Sequence, residues 1–124
     1  MIKEVEIYKA IGEETRLRIL RLLILAETEV CACEIIDTLD KPQYTISKNL
    51  GILVNNGLIS ERREGRMMFY KLLDNIEFNK TLFDNIKLIK CVSNKIFEND
   101  LSRLTKRLAL RENGKCTNDC ISNL

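Results

Sequence analysis

The sequence predicts a mostly α-helical domain that carries one β-hairpin and is built around a helix-turn-helix. Three observations lead there. Between Pro42 and Gly57, Ile46, Leu50, Leu53 and Val54 recur at i, i+4, i+7 and i+8, one apolar stripe of a helix. A shorter helix ending near Leu39 precedes it across a tight turn. Two apolar-containing runs, 58–63 and 66–72, follow it around Glu64-Gly65, an acidic residue and a glycine that signal a hairpin.

Taken in order, residues 2–11 read as a short helix with Val5, Tyr8 and Ile11 as its apolar contacts, interrupted by Gly12. Residues 13–26 form the most apolar helix, with Leu17, Leu20 and Ile24 inward and Arg16, Arg18 and Arg21 expected on the exposed side. Thr28 or Glu29 starts a short helix running to about Leu39, with Cys31 and Cys33 inside it and Ile35, Ile36 and Leu39 as its core face. Asp40 is the expected cap of the next helix and Pro42 sits in its first turn, where a missing N–H costs little. Gly57 ends that helix as a left-handed cap. From Ile76 to about Arg111 the chain is helical again. Leu82, Ile86, Ile89, Phe97, Leu101, Leu104 and Leu108 step by three and four. So long a stripe has little of its own chain left to cover it, which predicts a homodimer through the first and last helices. Residues 1–112 are expected to form the domain and 113–124 a cysteine-containing tail, with Asn113-Gly114 as the stop.

A length of 124 residues fits one domain, and 45% apolar with 31% charged residues is ordinary for a globular chain. The net charge of +2 argues for no particular partner, but its distribution does. Residues 41–72 hold six basic and two acidic side chains, so this segment carries +4 and the remainder −2. No apolar run reaches membrane-spanning length, and the mixed N-terminus lacks a signal-peptide core, so a cytoplasmic protein without membrane contact is expected. There the five cysteines are reduced and become candidate ligands or sensors. Histidine is absent, which removes the commonest general acid–base and the commonest metal ligand.

The helix over 43–55 turns Tyr44, Lys48, Gly51 and Asn55 away from its apolar stripe, with Thr45 and Ser47 beside them. Such side chains exchange hydrogen bonds with base edges and phosphates. Gln43, Tyr44, Thr45, Ser47, Lys48 and Asn49 are therefore the candidate reading residues. Arg62, Arg63 and Arg66, clustered at the hairpin tip, are candidate phosphate contacts of a wing.

These blocks resemble the ArsR/SmtB family of metal-responsive repressors over roughly residues 5–110. The carrying residues are Gly12-Glu-Glu-Thr-Arg-Leu-Arg-Ile-Leu20, Glu29-Val-Cys-Ala-Cys-Glu-Ile35, Gln43-Tyr-Thr-Ile-Ser-Lys-Asn-Leu50, Asn56-Gly-Leu-Ile59, and Arg63-Glu-Gly-Arg66 followed by Tyr70. The resemblance implies a winged helix-turn-helix homodimer, not an enzyme. It would bind double-stranded operator DNA with an inverted repeat, without a cofactor, and let go when a metal or metalloid binds. The Glu-Val-Cys-Ala-Cys block looks like the family's arsenic motif, with Ile36 where a third cysteine would fall. The family's usual histidine is Asn49 here, and its usual basic residue is Gly51.

Thiolate ligands favour soft ions, so the expected inducer is trivalent arsenic or antimony, or another soft metal ion. Within an intact helix Cys31 and Cys33 diverge by about 200°, so one ion holding both would unwind the first turn and strain the reading helix behind it. Pyramidal arsenic takes three sulfurs. Cys116 and Cys120 in the tail, or Cys91 within the long helix, are the candidate third donors; the tail is the better donor, and Cys91 reads more readily as a small buried apolar residue. A thiol–disulfide switch on the same fold is the alternative. A thiol-dependent arsenate reductase ranks last, because no phosphate-cradling loop, His or Cys-x-x-Cys accompanies any cysteine.

Overall fold

The computed structural model describes residues 2–90, 95–112 and 116. The elements run α1 (Lys3–Ile11), α2 (Glu14–Ala26), β1 (Val30–Cys31), α3 (Ala32–Leu39), α4 (Gln43–Asn55), β2 (Ile59–Glu64), β3 (Met67–Leu72), α5 (Glu77–Lys87) and α6 (Ile96–Leu108). Helices α3 and α4 are the helix-turn-helix and β2–β3 is the wing. Gly57 and Gly65 take φ of +70° and +62°, the left-handed conformations that end the α4 segment and turn the hairpin. Among the described residues no helix is long and apolar enough to cross a membrane.

One core serves all six helices. Ile19, Leu20 and Leu22 of α2 meet Ile35 and Ile36 of α3, Ile46, Leu50 and Leu53 of α4, Ile86 of α5 and Leu104 of α6, all at most 1% exposed. The apolar stripes of α3 and α4 thus pack as their spacing requires. On α1 the buried pair is Ile7 and Ala10, while Val5 and Tyr8 point outward.

Several expectations are corrected. The 76–111 stripe is two helices, because the chain leaves helical conformation after Lys87 and α6 folds back across α3 and α2. Leu82, Ile86, Phe97 and Leu104 are consequently buried within the monomer, and only Leu101 of α6 keeps the exposed character expected of the whole stripe. The α2 arginines are not a solvated face. Arg18 forms a bidentate pair with Asp100 of α6 at 2.8 and 2.9 Å, and Arg21 donates to the Ile86 carbonyl at 2.7 Å and lies 5.0 Å from the Phe97 ring centre. Arg16 donates to the Ala10 carbonyl and to Asn49. Asp40 does not cap α4. It closes α3 at a φ of +52°, and Pro42 occupies the α4 N-cap position.

The helix expected from Thr28 or Glu29 starts later. Val30 and Cys31 form a two-residue strand that adds to the wing sheet in the order β1-β3-β2, all antiparallel. Cys31 is then the N-cap of α3, in extended conformation, and only Cys33 is helical. Of the expected tail, Cys116 alone is described. Cys91 and Cys120 lie outside the described residues.

Candidate nucleic-acid interface and thiol cluster

The exposed face of α4 carries Gln43, Tyr44, Ser47 and Lys48, with Thr45 half-buried beside them. Tyr44 is 77% exposed, unusual for so large a ring and suited to a surface that waits for a partner. A Cβ placed on Gly51 would meet nothing within 4 Å, so this face has an open slot at its centre. The α4 N-terminus has no side-chain cap and no acidic residue in its first turn, so its unpaired N–H groups and positive dipole end stay available.

Asn49, an expected reader, faces inward and is 7% exposed. Its side-chain oxygen accepts from Arg16 at 2.8 Å, and its amide donates to the Thr45 carbonyl at 2.9 Å. Arg16 also donates to the last turn of α1, so Arg16 and Asn49 tie α1, α2 and the reading helix together. The spacing holds a signal for this: Asn49 stands three residues after Ile46 and four before Leu53, on the buried stripe.

At the wing, Arg66 is exposed at the tip and Arg63 reaches the Gly65 carbonyl at 3.3 Å. Arg62 differs from both. Its guanidinium is bidentate on Glu29, at 3.0 Å to each carboxylate oxygen, and lies 4.7 Å from the Phe69 ring centre. The hydrogen bond from Arg62 holds the Glu29 carboxyl below its usual range despite the opposing effect of burial.

Phe69 is also the floor of the thiols. Cys31, Phe69 and Cys116 form a small apolar cluster, with Cys33 and Met67 packed against it. Cys31 and Cys116 are 1% and 5% exposed and all three thiols are unbridged. Burial, then the neighbouring Glu34 and Cys31, push the Cys116 thiol up to about 12. A pair of ionic groups stands beside them. Glu34, fully buried, accepts from the Cys31 N–H at 2.9 Å and takes two bonds of 2.7 Å from Arg111, which also donates to the Glu29 carbonyl at 2.8 Å. One turn earlier Arg107 pairs with Asp37 at 2.7 Å. The end of α6 is thereby clamped to the start of α3, and the chain beyond Arg111 delivers Cys116 to Cys31. Sequence spacing carries no trace of these ion pairs, whose members lie 70 and 77 positions apart. Among the described residues no three His, Cys, Asp or Glu side chains already stand in a metal-binding arrangement.

Residues 13–61 match the model of the arsR family of bacterial regulatory proteins. An uncharacterised HTH-type transcriptional regulator of Methanocaldococcus jannaschii is 51% identical over 73 residues, which are 58% of this chain and 80% of that protein. The chain belongs to the ArsR family. It is a winged helix-turn-helix, DNA-binding transcriptional regulator, and such proteins are not enzymes. The arsenical resistance operon repressor of Escherichia coli is 36% identical over 73 residues, 58% of this chain and 61% of its own length, so this ArsR chain spans somewhat under two thirds of that relative. Reduced HlyU from Vibrio cholerae superposes with a TM-score of 0.63 at 29% identity, over 72% of this chain and 90% of that one.

Proposed function

We propose that this ArsR protein is a dimeric repressor that leaves its operator when a thiophilic ion, trivalent arsenic above all, is captured by Cys31, Cys33 and Cys116. One observation carries the reading: sulfurs from the α3 N-cap, from α3 itself and from beyond α6 gather on one apolar cluster at Phe69. An all-sulfur donor set suits soft ions and excludes hard ones. Each arsenic–sulfur bond releases one water from arsenous acid, the thiol proton leaving with a hydroxide. The arsenical and cadmium resistance regulators among the relatives agree with this chemistry. The thiols pack together without being arranged for a metal, so capture must move them. A ligand shifts DNA binding only if it favours one form, and the need for movement supplies that preference.

Gln43, Tyr44, Thr45, Ser47 and Lys48 read bases in this proposal, while Arg63 and Arg66 hold phosphate. The dimer surface in this proposal draws on the exposed Ile2, Val5 and Tyr8 at α1, with a groove of about 430 Å³ lined by Tyr8, Phe78 and Leu82, and on the exposed Leu101 and Leu110 at α6.

Fluorescence anisotropy of a labelled operator under anaerobic conditions tests the switch. Cys31→Ser, Cys33→Ser and Cys116→Ser should each bind DNA as the parent does and fail to release it with arsenite. Normal release by Cys31→Ser would overturn the assignment. A second reading has its own support, the packing of Cys31 and Cys116 in one buried cluster. Peroxide would take one hydrogen from each thiol, leave as two waters and join the sulfurs. Release by peroxide that dithiothreitol reverses, with no response to arsenite, would select it.

A further inference from the structure

Cys31, Phe69 and Arg62 lie in one row across the wing sheet. Cys31 is the register partner of Phe69 on one side of β3, and Arg62 is its partner on the other. Directly opposed residues of adjacent strands face the same side of a sheet, and all three side chains do meet there: Cys31 packs on Phe69, and the Arg62 guanidinium covers the same ring. Glu29, two residues before Cys31, closes the row by gripping Arg62 through both carboxylate oxygens. Glu29, Arg62 and Phe69 wall a cavity of about 200 Å³ that reaches Arg111 and Cys116. Cys31 is therefore held twice, as the N-cap of α3 and as a rung of the wing sheet.

We propose that the wing is an output of the thiol cluster: drawing Cys31 toward Cys33 and Cys116 displaces Phe69 and Arg62 with it and weakens the hairpin's grip on DNA. This rests on the release reading above and assigns Glu29 and Phe69 as positioning residues of the switch. The physical basis is a mismatch in stiffness. Strand β1 has only two residues, so its ladder yields easily. The Glu29–Arg62–Phe69 bracket makes that short strand move with β2 and β3 instead of peeling away from them. A wing pulled at its Arg62–Phe69 rung, next to Arg63 and two rungs from the tip, re-aims Arg63 and Arg66, and phosphate contacts are sensitive to such displacement because several must be made at once.

The test uses the full chain, sodium arsenite as the probe, and a DNA fragment selected by the parent protein. Sulfur–arsenic absorbance reports capture, and anisotropy reports DNA affinity with and without arsenite. The parent should lose at least tenfold in affinity. Glu29→Gln, a partly exposed change that keeps size, and Phe69→Leu, which keeps the cluster apolar, should capture arsenite equally and lose less than threefold. Glu64→Gln, which removes the other carboxylate near Arg62, at 3.8 Å, should behave as the parent. If both bracket variants release DNA as fully as the parent, the wing is not the output, and only this inference falls. If the parent itself does not release with arsenite, with or without sulfur–arsenic absorbance, the release reading falls and the coupling with it. A merely structural role for Glu29 would change DNA affinity in both states alike and leave their ratio at the parental value, which also overturns the proposal.

Discussion

The two helices of the helix-turn-helix begin in opposite ways. The N-terminus of α3 is closed inward: its N-cap N–H is taken by Glu34, Glu34 is taken by Arg111, and the whole is covered by α6 and the thiols. The N-terminus of α4, eleven residues along, is left without a side-chain cap or an acidic first-turn residue. A helix start satisfied from within is a joint, able to report what happens at its cap. A helix start left unsatisfied is a socket for an anion, which in the proposed function is a DNA phosphate. Helix α3 and one turn separate them, so a change at the joint reaches the socket through α3.

The largest effect that could break this contrast lies at the joint. Arg111→Met would strand the buried Glu34 carboxylate, and losing one partner of a buried pair costs about 3–5 kcal/mol. Urea denaturation should show a loss near the lower bound, because Arg111 keeps some solvent contact, its side chain 13% exposed. A loss under about 1 kcal/mol would mean that Glu34 finds water or a proton easily and that the joint is loose. The socket should respond to being filled. Pro42→Asp supplies the missing cap, which should raise stability by about 1 kcal/mol. The same carboxylate occupies the place of a phosphate, so affinity for operator and random DNA should fall together; a selective loss on the operator would shift the role of this end from positioning to base readout. The smallest effect belongs to a third start, that of α2. Glu13 caps it by accepting from the Arg16 N–H at 3.1 Å. Burial pushes its carboxyl up, but the Thr15 and Arg16 N–H groups and the Arg16 charge outweigh that and hold it below the usual range. A carboxyl depressed in the folded state stabilises above its unfolded value, and the gain is lost as pH falls through the folded one. Glu13→Gln should therefore lower stability slightly at neutral pH, by a few tenths of a kcal/mol for so exposed a group, and match the parent in acid. Identical curves at every pH would leave the cap without electrostatic weight.

Legibility in the sequence follows the same division. Helix α4, its exposed polar face and the hairpin announce themselves by local period and by Gly57 and Gly65, so the helix start and the wing are readable from neighbouring residues. The joint is not. A strand of two residues has no period, which is why Cys31 reads as helical although it is a strand rung and a cap. The Arg18–Asp100, Arg107–Asp37 and Arg111–Glu34 pairs depend on α6 folding back, and the apolar stripe continuing across residues 88–95 hides that fold. The cysteines themselves are legible as a motif, but the meeting of Cys31 with Cys116 depends on the clamp. Asn49 was readable and easily missed, since a polar residue on an apolar stripe invites assignment to the surface.

The vacancy over Gly51 has an evolutionary side. A glycine inside a helix costs roughly 0.5–1 kcal/mol relative to alanine, and nothing lies within 4 Å to forbid a larger residue. Almost any substitution there would repay stability while adding a side chain in the middle of the reading face. On the proposed reading of α4, one substitution here changes operator preference without cost to the fold and leaves the thiol cluster untouched.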